Sequence, residues 1–186
     1  TRRSSDLGTF GQFTGRVAAG QGDTVHFSAL YQPTVGKAVP ALFRTTLDGG
    51  TRSRTATVGD AAPGAGGATF ASFKGLSQMG ADALFTATLK GSPANANEGL
   101  WRDDGSPVLT RKGDEVAPGL TITRLLRFWP AGGTRVLLQA QLSNKTQALL
   151  LRQENGSYHR LMATGDTPPG GTRVLLQAQL SNKTQA

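Results

Sequence analysis

The chain reads Gly-Asp-Ala-Ala-Pro-Gly at residues 59–64, Gly-Asp-Glu-Val-Ala-Pro-Gly at 113–119 and Gly-Asp-Thr-Pro-Pro-Gly at 165–170. The copies are 54 and then 52 residues apart, which is too long a period for one hairpin and suits a unit of four strands. Each copy ends in Pro-Gly, a pair typical of turns. This signature predicts a chain built from repeated units that end at the same turn.

A second set of equivalent residues, three glycines, marks the start of one strand in each unit. Gly22, Gly80 and Gly133 are each followed by apolar residues at every second position. These positions are Val25, Phe27, Ala29 and Tyr31 in the first unit, Ala83, Phe85, Ala87 and Leu89 in the second, and Val136, Leu138, Ala140 and Leu142 in the third. A period of two indicates a β-strand with one buried face, because a helix would repeat about every 3.6 residues.

Shorter patterns indicate three further strands per unit. The first strand carries an apolar pair, at Phe10 and Phe13, Phe70 and Phe73, or Ile122 and Leu125. The third strand contains an apolar residue followed by arginine, at Phe43-Arg44, Trp101-Arg102 or Leu151-Arg152. A hairpin cluster follows it, Asp48-Gly49-Gly50, Asp103-Asp104-Gly105 or Asn155-Gly156, and a fourth strand such as Tyr158 to Thr164 leads into the Gly-Asp turn.

Four short antiparallel strands in each unit of about fifty residues match a blade of a β-propeller, in which each small sheet buries its faces against its neighbours. We therefore predict an all-β, propeller-like fold in a single repeat domain over residues 1–186, with units at about 10–64, 65–119 and 120–170. A β-sandwich of hairpins is the alternative. Closed propellers have about four to eight blades, so three units predict either a piece of a longer protein or an open edge that pairs with another strand.

A second repeat is identical rather than approximate. Residues 132–148 recur without change at 170–186, at an offset of 38. This offset is 14 residues shorter than the 52-residue period, which is about the length of one strand. We therefore predict that 171–186 is the duplicated strand of a partial fourth unit. We expect it to extend the exposed edge or to be disordered, with displacement of residues 134–142 as the alternative. Self-association through the open edge or residues 172–180 is the corresponding partner prediction.

Composition argues against several classes of protein. The 186 residues contain no cysteine, which excludes disulfides and cysteine zinc sites, and no apolar run as long as a membrane span. The net charge is +8, but the basic residues are scattered singly and aromatic residues make up only 6%, so nucleic-acid binding is not favoured. No basic-then-apolar signal segment opens the chain.

The sequence shows no evident catalytic apparatus. His26 and His159 lie at non-equivalent places in the first and third units, which does not support a metal pair or a Ser/His/Asp set. Neither a glycine-rich phosphate loop nor a nucleophile elbow is present. We therefore predict a protein without catalytic residues, cofactor or metal.

Two columns of aligned residues are candidates for binding. The first consists of Asp60, Asp114 and Asp166 in the Gly-Asp turns. A ring of these carboxylates could bind an ion, but the favoured interpretation is that each accepts backbone N–H bonds in its own turn. The second consists of Arg44, Arg102 and Arg152, which with an exposed Trp101 would contact a ligand or simply shield strand edges.

These patterns resemble a family of bacterial surface or secreted tandem-repeat proteins named for the motif Asn-x-x-Gly-x-x-x-Ala-Phe, over most of residues 10–170. The motif glycine corresponds to Gly22, Gly80 or Gly133, and the Gly-Asp-x-x-Pro-Gly turn is shared. The asparagine is replaced, by Ala19, Ser77 and Pro130. The resemblance implies a propeller-like, exported bacterial protein, often held at the cell surface by a C-terminal anchor, and it supplies no catalytic residues.

The sequence therefore predicts a non-catalytic extracellular or cell-surface repeat module for binding or structural interaction, with an unknown protein or glycan as its ligand. The alternative function is a glycan-binding or glycan-active β-propeller. An enzyme should concentrate acidic or histidine residues in one cleft, whereas a structural module should repeat equivalent residues on every unit.

Overall fold

The computed structural model describes residues 9–19 and 22–167. Within these ranges lie thirteen β-strands and a 3₁₀ turn at Ala94–Ala96, which confirms the all-β prediction. The strands are β1 (Thr9–Ala19), β2 (Thr24–Gln32), β3 (Val39–Thr46), β4 (Arg52–Thr57), β5 (Thr69–Met79), β6 (Asp82–Lys90), β7 (Glu98–Arg102), β8 (Thr110–Arg111), β9 (Glu115–Ala117), β10 (Leu120–Pro130), β11 (Val136–Leu142), β12 (Gln147–Arg152) and β13 (Tyr158–Ala163). The duplicated segment predicted at 171–186 lies outside the described residues.

The strands form three antiparallel sheets that follow one another along the chain. The first sheet is ordered β1-β2-β3-β4, the second β5-β6-β7-β8 and the third β9-β10-β11-β12-β13. In each sheet, four consecutive strands pair in chain order, and the third sheet adds β9, which falls within the predicted unit 65–119. The sequence patterns did not indicate β9, which pairs with the start of β10, or that β8 has only two residues.

Strand pairing shows which positions of the three sheets are equivalent. Phe27 pairs with Phe43 in the first sheet, Phe85 with Trp101 in the second and Leu138 with Leu150 in the third. We call the side that carries these pairs the leading face of each sheet, and the opposite side its trailing face. The alternating residues predicted from the sequence all lie on leading faces, since side chains in a strand alternate between its two sides.

The sheets pack face to face in chain order. Leu42, on the trailing face of the first sheet, lies in one apolar cluster with Phe85 and Trp101 on the leading face of the second. Leu84 and Leu100, on the trailing face of the second sheet, lie in another cluster with leading-face residues of the third. Two of the three apolar clusters are therefore inter-sheet layers, each built from one trailing and one leading face, and the third lies on the leading face of the first sheet.

The Gly-Asp signature is the connection between successive sheets. The Gly59 amide donates to Phe70 O at 2.9 Å, and the Gly113 amide donates to Ile122 O at 2.7 Å, so both turns bond the first strand of the next sheet. Both glycines have positive φ angles, 98° and 97°, a region that glycine enters without steric penalty. This bonding brings β5 beside β1, and β10 beside β5.

The predicted hairpin clusters form the turns between third and fourth strands. Side-chain oxygens of Asp48, Asp104 and Asn155 each accept an N–H bond from the residue two positions later, at 2.9, 2.9 and 3.0 Å. This is the geometry of an Asx turn, which explains why Asp and Asn recur there. Hydrogen bonds from the Thr46 hydroxyl and the Gly50 amide lower the pKa of Asp48.

Within the ranges that the structure describes, no helix is long and apolar enough to cross a membrane.

Candidate functional site: a cleft between two sheets

The predicted binding residue Trp101 is buried, so the expectation that it is exposed is wrong. Its side chain has no exposed surface, lies 6.1 Å from the Phe85 ring by centroid, and donates its indole N–H to Pro63 O at 3.0 Å. The physical reason is the strand period, which places Trp101 on the leading face of the second sheet, under the first sheet. Trp101 is a core residue and cannot contact a glycan in this structure.

The three aligned arginines do not share a face. Arg44 pairs with His26 and Arg102 with Leu84, which puts both on trailing faces, whereas Arg152 pairs with Val136 on a leading face. The predicted arginine column is therefore wrong for Arg152, because a one-residue difference in register turns a side chain to the other side of its sheet.

The arginines also have different surroundings. Arg44 is exposed. Arg102 bonds Asp82, which raises the pKa of Arg102, and its Nε lies 3.4 Å from Asp104. Arg152 donates to Leu109 O at 2.6 Å and so ties the third sheet to the second. The structure therefore distributes these residues instead of bringing them together as a site.

The aligned aspartates act within their own turns. The Oδ2 atoms of Asp60, Asp114 and Asp166 accept backbone N–H bonds from Thr57, Arg111 and Ala163 at 2.9, 2.7 and 2.7 Å. Each carboxylate thus caps the residue three positions earlier, which confirms the favoured structural interpretation. In the described part of the chain, no group of three His, Cys, Asp or Glu residues is arranged to hold a metal ion.

A polar pair is buried at the junction of the first two sheets. His26 Nδ1 lies 2.9 Å from Asp103 Oδ2, and its Nε2 lies 3.3 Å from Ala81 O. The side chains of both residues are at most 2% exposed. Because both side chains are buried, the pair joins the first sheet to the second.

The candidate site is a cleft of about 510 Å³ between β5 of the second sheet and β10 of the third. We call it the inter-sheet cleft. It is lined by residues 74–77 of β5, residues 124–129 of β10, Thr86 and Glu98. β5 is the edge strand of its sheet, and β9 covers the edge of β10 only at Leu120 and Thr121, so two largely open strand edges face each other here.

Bulges shape both walls of the cleft. Phe73 pairs with Ala87 and Gly75 with Thr86, which leaves Lys74 as the extra residue of a β-bulge in β5. A matching shift leaves Leu126 as the extra residue in β10. Bulges bend and twist a strand and redirect its side chains, so they open space between two edges that would otherwise run straight.

Close packing joins the two walls at one point. A Cβ added at Gly75 would lie 2.6 Å from Cε1 of Phe128 and 2.8 Å from the Thr86 hydroxyl. The Phe128 ring therefore packs directly on the β5 backbone, which only glycine permits at this distance. This contact fixes the separation of β5 and β10 and hence the width of the cleft.

The charges along the cleft are mostly positive. The Lys74 ammonium bonds Glu98 at 3.0 Å, and the Glu98 side chain is only 9% exposed. Arg124 and Arg127 are exposed and form no ion pair with any described residue. Because Glu98 offsets Lys74, the lining carries two positive charges that are not neutralised locally.

An exposed aromatic side chain lies beside these charges. Trp129 is 41% exposed, although tryptophan usually finds a buried or interfacial place. Arg124, Arg127 and Trp129 pair with Gln141, Gln139 and Leu137 of β11, so all three lie on one side of the third sheet. That side is the trailing face, so these three side chains leave β10 on the face turned away from the second sheet.

The sequence reasoning missed these residues because it looked for columns repeated in every unit. Lys74 and Arg127 have no counterparts of the same type in the other units, so no column marks them. The available signal was the apolar pattern of β10 itself, in which Arg124, Arg127 and the large Trp129 interrupt a strand that should otherwise pack.

Comparison of the chain with protein-family models, with curated proteins and with solved structures found no match.

Proposed function

We propose that this protein is a non-catalytic repeat module of the β-propeller type that binds a ligand in the inter-sheet cleft. The observation that carries the proposal is the cleft, a concave surface with the polar Lys74, Thr86 and Glu98 on one wall and the apolar Leu125 and Phe128 on the other. Ligand sites usually combine a concave apolar or aromatic wall with a few polar groups that fix orientation. The proposed role is therefore recognition of another molecule.

The propeller arrangement is supported by how the sheets repeat. Each sheet is an antiparallel meander in chain order, and each packs its trailing face on the leading face of the next. The first strands lie side by side, β5 contacting both β1 and β10. Blades of a propeller pack in this serial way, whereas a sandwich would place two sheets over one shared core.

Binding without turnover is supported by the acidic groups along the cleft. Among the described residues, Glu98 is the one carboxylate that lines it, and that carboxylate bonds Lys74. Glycoside hydrolysis ordinarily needs two carboxyl groups on either side of the bond that is cleaved. The geometry therefore favours a binding module over the glycan-active alternative.

We further propose that the module works outside a bacterial cell or at its surface. This part rests on the resemblance of the glycine columns and the Gly-Asp turns to tandem-repeat surface proteins. Detection of the protein in the cell-surface or secreted fraction of its source, by a specific antibody, tests it.

Nuclear magnetic resonance tests the site directly. The ¹⁵N-labelled full chain would be titrated with a neutral tetrasaccharide, an acidic tetrasaccharide and an acidic peptide. The two tryptophans provide an internal control, because the Trp129 indole is exposed and the Trp101 indole N–H is buried on Pro63. We expect one ligand class to shift the amides of residues 74–77 and 124–129, with the Trp101 indole unmoved.

Shifts confined to another surface would show that the module binds elsewhere, and absence of shifts with all three ligands would contradict a binding role for the cleft. Hydrolysis of either saccharide during the titration would contradict the non-catalytic part of the proposal.

A further inference from the structure

The large apolar side chains that remain exposed belong to the first and third sheets and their turns. Among the described residues, none of these side chains belongs to the second sheet. Phe13 and Val17 of β1 are each 65% exposed, whereas Trp129 of β10 and Met162 of β13 are 41% and 47% exposed. Exposed apolar patches of this kind mark surfaces that another molecule covers.

The exposed residues of β1 lie on the leading face of the first sheet. Phe13 and Val17 both pair with leading-face residues of β2. The residue equivalent to Phe13 in the third sheet is Leu125, which is only 8% exposed because the second sheet packs over it. The first sheet therefore presents the apolar residues of an inter-sheet contact, and no described sheet lies over Phe13 and Val17.

Two exposed residues of the third sheet lie on its trailing face. Trp129 pairs with Leu137 and Met162 with Leu149, and both leucines are trailing-face residues. The trailing faces of the first and second sheets are each packed by the leading face of the sheet that follows. The contacts within the chain thus show what a trailing face takes as its partner, which is a leading face.

The two uncovered faces also match in the size of their side chains. Between the second and third sheets, Phe128 of a leading face packs on Gly75 of a trailing face. At the uncovered ends, the smaller Val17 takes the place of Phe128, and the larger Arg127 takes the place of Gly75. A small residue therefore stands opposite a large one in both cases, as well-packed faces require.

Charge complementarity supports the same pairing. Asp114, in the turn after the second sheet, accepts the Tyr158 hydroxyl of the third sheet at 2.9 Å. The residue equivalent to Asp114 after the third sheet is Asp166, and the residue equivalent to Tyr158 in the first sheet is Arg52. Arg52 is exposed and forms no ion pair with any described residue. Stacking of the two end faces would bring Asp166 of one chain towards Arg52 of another.

We infer that two copies of this chain associate head to tail, with the trailing face of the third sheet in each copy packed on the leading face of the first sheet in the other. Two chains of three sheets would close a ring of six, within the range of about four to eight blades in closed propellers. The inference rests on the serial packing in the proposed function and is independent of ligand binding in the cleft.

Sedimentation equilibrium of the full chain over a range of protein concentrations tests the inference. We expect an equilibrium between monomer and dimer without larger species. Val17→Asp at the leading end and Met162→Asp at the trailing end should each weaken dimerisation by about tenfold or more, because each would bury an unpaired carboxylate. Val35→Asp is the matched control, since Val35 is exposed in the turn between β2 and β3.

A mixture of the two variants identifies the head-to-tail arrangement. Val17→Asp alone or Met162→Asp alone alters both contacts of the ring, whereas a mixed dimer keeps one contact between two unaltered faces. We therefore expect the mixture to associate more tightly than either variant by itself. Circular dichroism and melting of each variant establish that the fold is intact, which such exposed positions should permit.

A monomer at every concentration would overturn the inference and would indicate that another part of the chain or a different protein covers these faces. Dimers that survive either substitution alone would show contact between like faces, and a mass that keeps rising with concentration would show an open series of chains. Both results overturn the closed pair. A monomer whose cleft amides still shift with ligand would overturn this inference alone, since the proposed function fails only if no ligand perturbs the cleft.

Discussion

At the scale of single residues, one aspartate does more than its two counterparts. Asp60 caps its own turn, and Asp166 caps its turn and lies 3.5 Å from Arg160 of the same sheet, whereas Asp114 also accepts the Tyr158 hydroxyl of the next sheet at 2.9 Å. Tyr158 belongs to the third sheet, so this carboxylate joins the turn after β8 to the last strand of the next unit. The same turn signature therefore performs a local role in all units and a tertiary role in one.

Asp114→Ala should be more destabilising than Asp60→Ala. The first substitution leaves the Arg111 amide without its acceptor and the Tyr158 hydroxyl with only its longer bond to the Thr110 hydroxyl, at 3.2 Å, and we expect a loss of about 2–3 kcal/mol. The second removes one bond at an exposed turn, and we expect about 1 kcal/mol. Urea unfolding of both variants measures the difference; equal losses would contradict a tertiary role for Asp114.

Tyr158 should make stability fall at alkaline pH. Burial raises the pKa of Tyr158 above its ordinary value of about 10, and the neighbouring Asp114 charge acts in the same direction. A raised pKa in the folded state stabilises the fold below about pH 10, and that contribution is lost as the pH rises further. In urea unfolding from pH 8 to 11, the stability gap between wild type and Tyr158→Phe should narrow above pH 10. A constant gap would contradict the assignment.

At the scale of strands and sheets, the bulged first strands determine the cleft. The contact between Phe128 and the Gly75 backbone sets the distance between β5 and β10. Gly75→Ala should displace the ring and cost about 1–3 kcal/mol, as overpacking does. Gly11→Ala is the control in β1, where the added Cβ meets its nearest neighbour at 3.3 Å. Similar melting temperatures for the two variants would show that the β5–β10 contact is looser than described.

Alternating apolar residues were sufficient to predict the second strand of each unit and its buried side. Within each second strand the apolar residues, such as Phe27 and Ala29, repeat with a period of two and lie on the leading face. The turns between third and fourth strands were also predictable, because Asp-Gly and Asn-Gly tolerate the positive φ angles that tight hairpins need. Local patterns of this kind act within one strand or one turn.

The positions of the arginines and of Trp101 could not be predicted in the same way. The segment from Arg152 to Gly156 is one residue longer than that from Arg102 to Gly105, so identical dipeptides fall at different register positions. Only pairing between strands decides which side Arg152 occupies. The cleft could not be predicted from sequence patterns either, since it arises from two bulges in strands of different units.

At the scale of the whole molecule, the leucines at one equivalent trailing-face position show how the series of sheets ends. Leu42, Leu100 and Leu149 pair with Ser28, Thr86 and Gln139 at matching places. The first two are 2% and 0% exposed beneath the next sheet, whereas Leu149 is half-buried and its neighbour Met162 is 47% exposed. In the described part of the chain, no further sheet covers the trailing face of the third sheet, and Leu149 is therefore partly exposed.

Leu100→Ala and Leu149→Ala should therefore differ in cost. Truncating the fully buried Leu100 leaves a cavity between two sheets and should cost about 2–5 kcal/mol. Leu149→Ala removes a partly solvated side chain and should cost about 1 kcal/mol at low protein concentration. Self-association through this face stays a prediction. A loss of stability in Leu149→Ala that grows with protein concentration would support it. Equal losses in Leu100→Ala and Leu149→Ala at high dilution would contradict the conclusion that the trailing face of the third sheet is uncovered.

The central claim is that successive sheets stack face to face and so hold β5 and β10 on either side of a cleft. A nuclear Overhauser spectrum of the full chain tests it through one contact, between the α-protons of Gly75 and the ring protons of Phe128. We expect a strong cross-peak, because the ring lies where a Gly75 side chain would begin. Absence of that cross-peak, with the Phe128 ring instead contacting residues outside the second sheet, would contradict the stacking and the cleft together.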